Sequence, residues 1–208
     1  SGPVRRPRPA RGGEIQNQIS AGQTGTVAIP EWQTVSSREK NPVLNLFLLR
    51  HGVAVERDPQ SFPDDSRRPL TLKGEDRIRL VCDAMQALEL SFDRILASPF
   101  LRSRQTAEIV AGSLGLRRAL EFRAELAPEG DFKALLRFIN RLTPAPENLL
   151  LVGHEPYLSQ LLSVLISGQP DAVIDLKKNG LAKIEVPQRL KPGRCATLNW
   201  LLTPRQLA

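Results

Sequence analysis

The sequence predicts an α/β protein: a three-layer α/β domain with a mostly parallel sheet and an antiparallel C-terminal pair. Two continuous apolar runs, "LFLL" at 46–49 and "NLLLV" at 148–152, read as strands buried on both faces, as parallel sheets require. Helix-spaced segments separate the strand-like runs, the alternation that builds layered α/β domains. The closing runs "LAKIEV" and "TLNWLL" flank the turn signal "KPGR", which reads as an antiparallel pair.

The elements follow in order. Residues 1–42 open on "SGPVRRPRPARGG", Pro/Gly/Arg-rich and aperiodic, and are expected to form a flexible basic extension, with the domain proper spanning 43–208. After the first strand, Thr71 is placed to cap a helix whose apolar residues Ile78, Val81, Cys82, Met85 and Leu88 recur at helical spacing. "RILAS" (94–98) is a second short strand, followed by a helix through "RSRQTAEIVAGSL" that Gly115 can end. "DFKALLRFINRL" (131–142) sets Phe132, Leu135, Leu136, Ile139 and Leu142 on one helical face. The 148–152 strand comes next, then a helix over 157–167 and the antiparallel pair.

At 208 residues and 41% hydrophobic content the chain can bury one good core. The net charge of +7 is spread out: residues 1–45 hold six Lys/Arg against three Asp/Glu, which leaves +4 for the rest. One tyrosine, two tryptophans and no Lys/Arg run longer than two argue against a stacking platform or a phosphate-tracking stripe, so no nucleic-acid partner is expected. Cys82 and Cys195 lie in unrelated settings and read as free thiols of a reducing cytoplasm. No apolar stretch reaches the ~18 residues of a membrane span, and the Arg-rich start lacks the apolar region of a signal peptide. The expectation is a cytoplasmic monomer.

The chemistry centres on the only two histidines. His51 ends "LFLLRHG" and His154 follows "NLLLVGHEP", so both sit at strand mouths, where open α/β sheets bind ligands. Arg50 directly precedes His51, fixing a permanent cation and a titratable nitrogen at one strand end. An arginine fork grips phosphate oxygens, and its charge keeps a neighbouring imidazole neutral and nucleophilic. "SPFLRSRQTAE" (98–108) offers Arg102 and Arg104, which point in different directions on a helix, so only one should face the strand mouths. A Walker loop, a cysteine-phosphatase loop and an Asp-x-Asp nucleophile are all absent from the sequence. Two histidines about a hundred residues apart, with no carboxylate cluster beside either, suggest neither a metal site nor a cofactor.

"RHG", "SPFLRSRQTAE" and "GHEP" resemble the histidine phosphatase superfamily, which includes the phosphoglycerate mutases. "RPLTLKG", "ELAPEGD" and "GRCATLNWLLTP" are similar to its SixA-type phosphohistidine phosphatase branch, over residues 46–204. The resemblance implies a phosphoglycerate mutase-like α/β/α sandwich, with His51 as the nucleophile that becomes phosphorylated. It implies that Arg50, Arg102 and His154 complete the phosphate pocket, the pattern "SxxxRxxQTA" selecting Arg102 over Arg104. The family's general acid falls nearest Glu125, although the spacing to Gly130 is one residue longer than the family's, and Glu129 and Asp131 compete for the role. Sugar-phosphate members carry Ser and Asn soon after "RHG", whereas this chain has Val53, Ala54 and Val55.

Leaving-group chemistry points the same way. An alkoxide must be protonated as it departs, while an imidazole, whose conjugate acid has a pKa of about 6.5, needs less help. Only about fifty residues separate Arg102 from His154, and one helix and two short strands take up most of them, so no lid is expected there. The reading is a metal-independent phosphatase for phosphohistidine proteins, with histidine phosphotransfer domains as the partner class. The alternatives are a phosphatase for small phosphate esters or anhydrides, and a catalytically weak phosphoprotein-binding module.

Overall fold

The computed structural model describes Gly2 and residues 42–207, so the extension expected over 1–42 lies, apart from Gly2 and Pro42, outside the described residues. Strand β1 (Val43–Arg50) runs through the middle of a six-stranded sheet. Helix α1 (Leu72–Ala87), strand β2 (Arg94–Ala97), helix α2 (Leu101–Ser113) and a short strand β3 (Leu120–Phe122) follow. Helix α3 (Phe132–Ile139), strand β4 (Asn148–Gly153), helix α4 (Tyr157–Ser167) and strands β5 (Leu181–Pro187) and β6 (Thr197–Leu202) complete the domain.

The sheet order is β3-β2-β4-β1-β5-β6. The first four of these strands are mutually parallel; β5 pairs antiparallel with β1, and β6 antiparallel with β5. Residues alternate across the sheet as β geometry demands. On β1, Leu46 and Leu48 pack with α3 and α4, whereas Phe47 and Leu49 pack with α1 and α2. The predicted three-layer sandwich is therefore the observed one, with a separate apolar cluster on each side of the sheet.

Register positions the site. Pairing of β1 with β4 runs from Asn45↔Asn148 to Arg50↔Gly153, so the residues that leave the two strands, His51 and His154, emerge side by side. β2 lies on the other flank of β4, with Ala97 opposite Val152, which brings Ser98 and the start of α2 to the same edge.

Local differences from the sequence reading have physical causes. Thr71 caps α1 as expected, its hydroxyl accepting from the Gly74 amide at 2.9 Å, but the helix ends at Ala87, and Leu88 becomes an exposed cap residue. α3 is shorter than its apolar pattern, because Asp131 serves as its cap and, past Asn140, the chain tightens to i→i−3 hydrogen bonds from Arg141 to Phe138 and from Leu142 to Ile139. The position of β3 was not legible, because three half-exposed residues at a sheet edge carry no periodic signal. Among the described residues no helix is long and apolar enough to cross a membrane. Cys82 and Cys195 are both free.

Candidate active site

Four of the expected residues meet at the carboxyl ends of β1 and β4. The His51 amide donates to the Gly153 carbonyl at 3.0 Å, which joins the two strand ends just where they stop being sheet. Its ring Nδ1 lies 2.7 Å from the Gly52 carbonyl. A carbonyl only accepts, so Nδ1 carries the proton and Nε2 keeps its lone pair. Arg102 Nε donates to that Nε2 at 3.2 Å. Burial, followed by the charges of Arg102 and Arg50, depresses the His51 pKa to about 3 against a partial offset from the Gly52 carbonyl. The imidazole is neutral at ordinary pH, which is the state a nucleophile needs.

His154 lies with its ring centroid 5.0 Å from that of His51. Its Nε2 is 2.8 Å from the Ser98 hydroxyl, which in turn accepts from the Phe100 amide at 3.3 Å. The Phe100 amide takes up one Ser98 lone pair, and Ser98 shares a hydrogen with His154 Nε2, which leaves Nδ1 as the ring nitrogen that faces the site. Burial, His51 and the arginines lower its pKa to about 2, so this ring too is neutral, a hydrogen-bond donor without charge. His154 Nδ1 and Arg50 Nε are buried without partners among the described residues, and an anion's oxygens can take up both. Arg50 is steadied from behind, its Nη1 donating to the Leu176 carbonyl at 2.9 Å.

The two arginines of α2 separate as helical geometry requires. Arg102 is 4% exposed and faces the histidines, while Arg104 turns outward to Glu108 at 2.8 Å. Thr106 ties this helix to the nucleophile's loop: its hydroxyl accepts from the Gly52 amide at 3.0 Å and donates to the Arg102 carbonyl at 2.7 Å.

Sequence reasoning missed Asp65. It sits in the segment between β1 and α1, and it holds the far edge of the Arg102 guanidinium. Arg102 Nη1 donates to the Asp65 carbonyl at 2.8 Å, and Nη2 pairs with its carboxylate at 3.0 Å, leaving Nε aimed at His51. Arg68 braces the same carboxylate at 3.0 Å and donates to the Val55 carbonyl at 2.7 Å. Burial pulls the Asp65 pKa upward, but Arg102 and Arg68 outweigh it and hold the carboxyl below its usual value. In "PDDSRRPL" such charges read as a solvated loop, and only the neighbouring "RPLTLKG" carried a signal. Cover for Arg102 therefore comes from the β1–α1 segment, not from the stretch between Arg102 and His154.

The three carboxylates considered for the acid each have a partner or a place away from the histidines. Glu125 is bound by Arg123 at 2.7 Å, and that contact holds its pKa below the ordinary carboxylate value, opposite to what a proton donor needs. Asp131 caps α3 and pairs with Arg137, and Glu129 is exposed. None of the three hydrogen-bonds or ion-pairs with the histidines or with Arg50 and Arg102. The tight turn explains "ELAPEG": a Cβ on Gly130 would lie 2.0 Å from the Glu125 carbonyl oxygen.

Among the described residues no group of three or more His, Cys, Asp and Glu is placed to hold a metal ion. Comparison with known proteins finds a match to the histidine phosphatase superfamily (branch 1) over residues 46–128. The chain is 30% identical over 165 residues to the phosphohistidine phosphatase SixA of Escherichia coli K12, covering 79% of this chain and 96% of that protein. It is 41% identical over 139 residues to an uncharacterized protein of Picosynechococcus, covering 66% of this chain and 82% of the relative. The solved structure of the protein histidine phosphatase SixA complexed with tungstate superimposes with a TM-score of 0.68 at 30% identity, covering 79% of this chain and all of that one.

Proposed function

The chain belongs to the histidine phosphatase superfamily, and from that premise we propose that it removes phosphate from phosphohistidine proteins through a covalent intermediate on His51. The observation that carries the reading is the His51 ring itself: Nδ1 is committed to the Gly52 carbonyl, and the Nε2 lone pair is held by the Arg102 Nε–H, a donor that an incoming phosphoryl oxygen takes over before Nε2 attacks. In the first step Nε2 attacks phosphorus, the substrate's P–N bond breaks, and the substrate imidazole leaves with its own protonated nitrogen. In the second step water attacks phospho-His51, releasing inorganic phosphate and restoring the lone pair. Arg50 and Arg102 supply the positive charge for the phosphoryl oxygens, so no metal enters either step. His154 supplies a neutral donor from Nδ1.

The sunken site favours the substrate class. His51 is only 6% exposed and His154 only 1%. A phosphohistidine side chain carries its phosphorus beyond an imidazole ring, farther from its backbone than phosphoserine does, and can reach into such a pocket. Glu125 and Asp65 are both held below the usual carboxylate range by arginines, so a leaving group that departs without strong acid help fits best. Histidine phosphotransfer domains carry this side chain and are the partner class proposed. A monomer in the reducing cytoplasm, with both cysteines free, completes the reading.

The test offers a phosphohistidine protein, a phosphoserine peptide and a sugar phosphate in parallel, with EDTA present throughout. Hydrolysis of the first alone is expected. His51→Ala should lower turnover by roughly 10³-fold or more while keeping the fold. Turnover of the small esters in preference would replace this reading with a small-molecule phosphatase, and tight binding without turnover would replace it with a binding module.

A further inference from the structure

Beside the histidine pair, and sharing Arg50 with it, lies a cleft of about 690 Å³ bounded by α1, the turn before β5 and the residues after β6. Its floor is aliphatic, formed by Val53, Val81, Leu207 and Leu80, the last 50% exposed. Its rim is cationic, carrying the exposed side chains of Arg77, Lys177, Lys178 and Arg205, and no carboxylate lines it. Lys177 is paired with Asp175, while Arg77, Lys178 and Arg205 form no ion pair with the described residues. Lys178 stands near enough to His51 for its charge to bear on the imidazole.

We propose that this cleft docks the phosphorylated helix of the protein substrate, an amphipathic segment that lays apolar side chains on the floor and carboxylates against the rim. The proposal rests on the phosphoprotein reading above and gives that partner a chemistry: acidic, with aliphatic residues near its phosphohistidine. The combination of surfaces selects the occupant. A nucleic acid would meet the cations but find no aromatic side chain on which to stack, and its backbone would leave the aliphatic floor wet. A small phosphate needs only the arginine and histidine pocket. An acidic amphipathic helix satisfies floor and rim together, and the rim's charge steers its approach. Arg50 belongs to both the cleft and the pocket, so a helix seated in the cleft delivers its phosphorylated side chain at the entrance to the site.

The experiment compares the full chain with the double variant Arg77→Glu/Arg205→Glu, two exposed side chains that form no hydrogen bond or ion pair with His51, His154, Arg50 or Arg102. Each is given a phosphorylated histidine phosphotransfer domain and, separately, phosphoramidate. Reversal of two rim charges should lower kcat/KM for the phosphoprotein by about 10-fold or more, chiefly through KM, and leave phosphoramidate hydrolysis unchanged. Raising salt should slow the wild-type reaction with the phosphoprotein more steeply than that with phosphoramidate. Neutralising the carboxylates that flank the phosphohistidine of the domain should reproduce the loss in the wild-type enzyme. Unchanged phosphoprotein kinetics in the double variant, an equal loss on phosphoramidate, or tighter cleft-dependent binding of an oligonucleotide than of the phosphodomain would each overturn the docking site alone. If the wild type hydrolyses phosphoramidate but leaves the phosphoprotein untouched, the phosphoprotein reading falls and the docking site falls with it.

Discussion

At the scale of the residue, the two histidines share a setting in the sequence and differ in their hydrogen bonds. His51 gives its Nδ1 proton to Gly52 and keeps Nε2 for attack, whereas His154 is tied to Ser98 through Nε2 and leaves Nδ1 for the phosphoryl group. His154→Ala should therefore slow phosphorylation of His51 by roughly 10² to 10³ without removing the acceptor, and His154→Asn, which keeps a donor, should lose less. Single-turnover trapping of labelled phosphate on His51 reads this directly; label on residue 154 in the unaltered protein would reverse the assignment. Asp65 acts through Arg102. Asp65→Asn weakens the grip on the guanidinium, and a small misdirection of Nε should cost roughly 10- to 100-fold in kcat. Because Arg50 still binds the anion, KM should change much less. A variant with wild-type kcat would show that Arg102 needs no brace.

At the scale of the element, the β1–α1 connection joins the nucleophile to its helix at one close approach. A Cβ on Gly74 would sit 2.1 Å from the Val53 carbonyl oxygen, which also accepts from the Thr71 amide and hydroxyl. In an ordinary helix, glycine to alanine is stabilising by roughly 0.5–1 kcal/mol. Here the backbone of Val53 must move, and Gly74→Ala should instead destabilise the fold by about 1–3 kcal/mol. Val53 lies two residues from His51, so turnover should fall as well. Urea unfolding and kcat measured on the same variant check both, and a gain in stability would mean that α1 can shift freely away from the loop.

At the scale of the whole molecule, the domain folds around two neutral buried imidazoles among cations, and that makes its stability depend on pH. The unfolded histidines titrate near their ordinary value of about 6.5, the folded ones at about 3 and about 2. Below about pH 6.5 the unfolded chain binds protons that the folded chain refuses, so unfolding is favoured as the pH falls from about 6.5 toward 3. The depressed pKa of Asp65 adds a loss in the same direction at the acid end. The urea midpoint should be level between pH 7 and 8.5 and should decline steadily below about 6.5. In a His51→Asn/His154→Asn variant the decline between pH 6.5 and 5 should be shallower; an unchanged slope would place the acid sensitivity elsewhere.

Much of this protein was legible in one dimension because its signals are local. Continuous apolar runs marked β1 and β4, helical spacing marked α1 and α3, and "RHG" and "GHEP" marked strand ends that carry chemistry. The resemblance to the family pattern pointed to Arg102 over Arg104, and of the two it is Arg102 that is buried. Tertiary structure decided what depends on pairing and on contacts across the chain. The register of β1 against β4 places His51 beside His154, and no residue in either strand announces that offset by itself. Asp65 looks like one more loop charge until α2 brings Arg102 to it, 37 residues away in sequence. Glu125 falls nearest the motif's acid position, yet Arg123 pairs with it. A motif specifies residue types and spacing, whereas the pKa and partner of a carboxylate are set by which charges the fold carries to within hydrogen-bond distance.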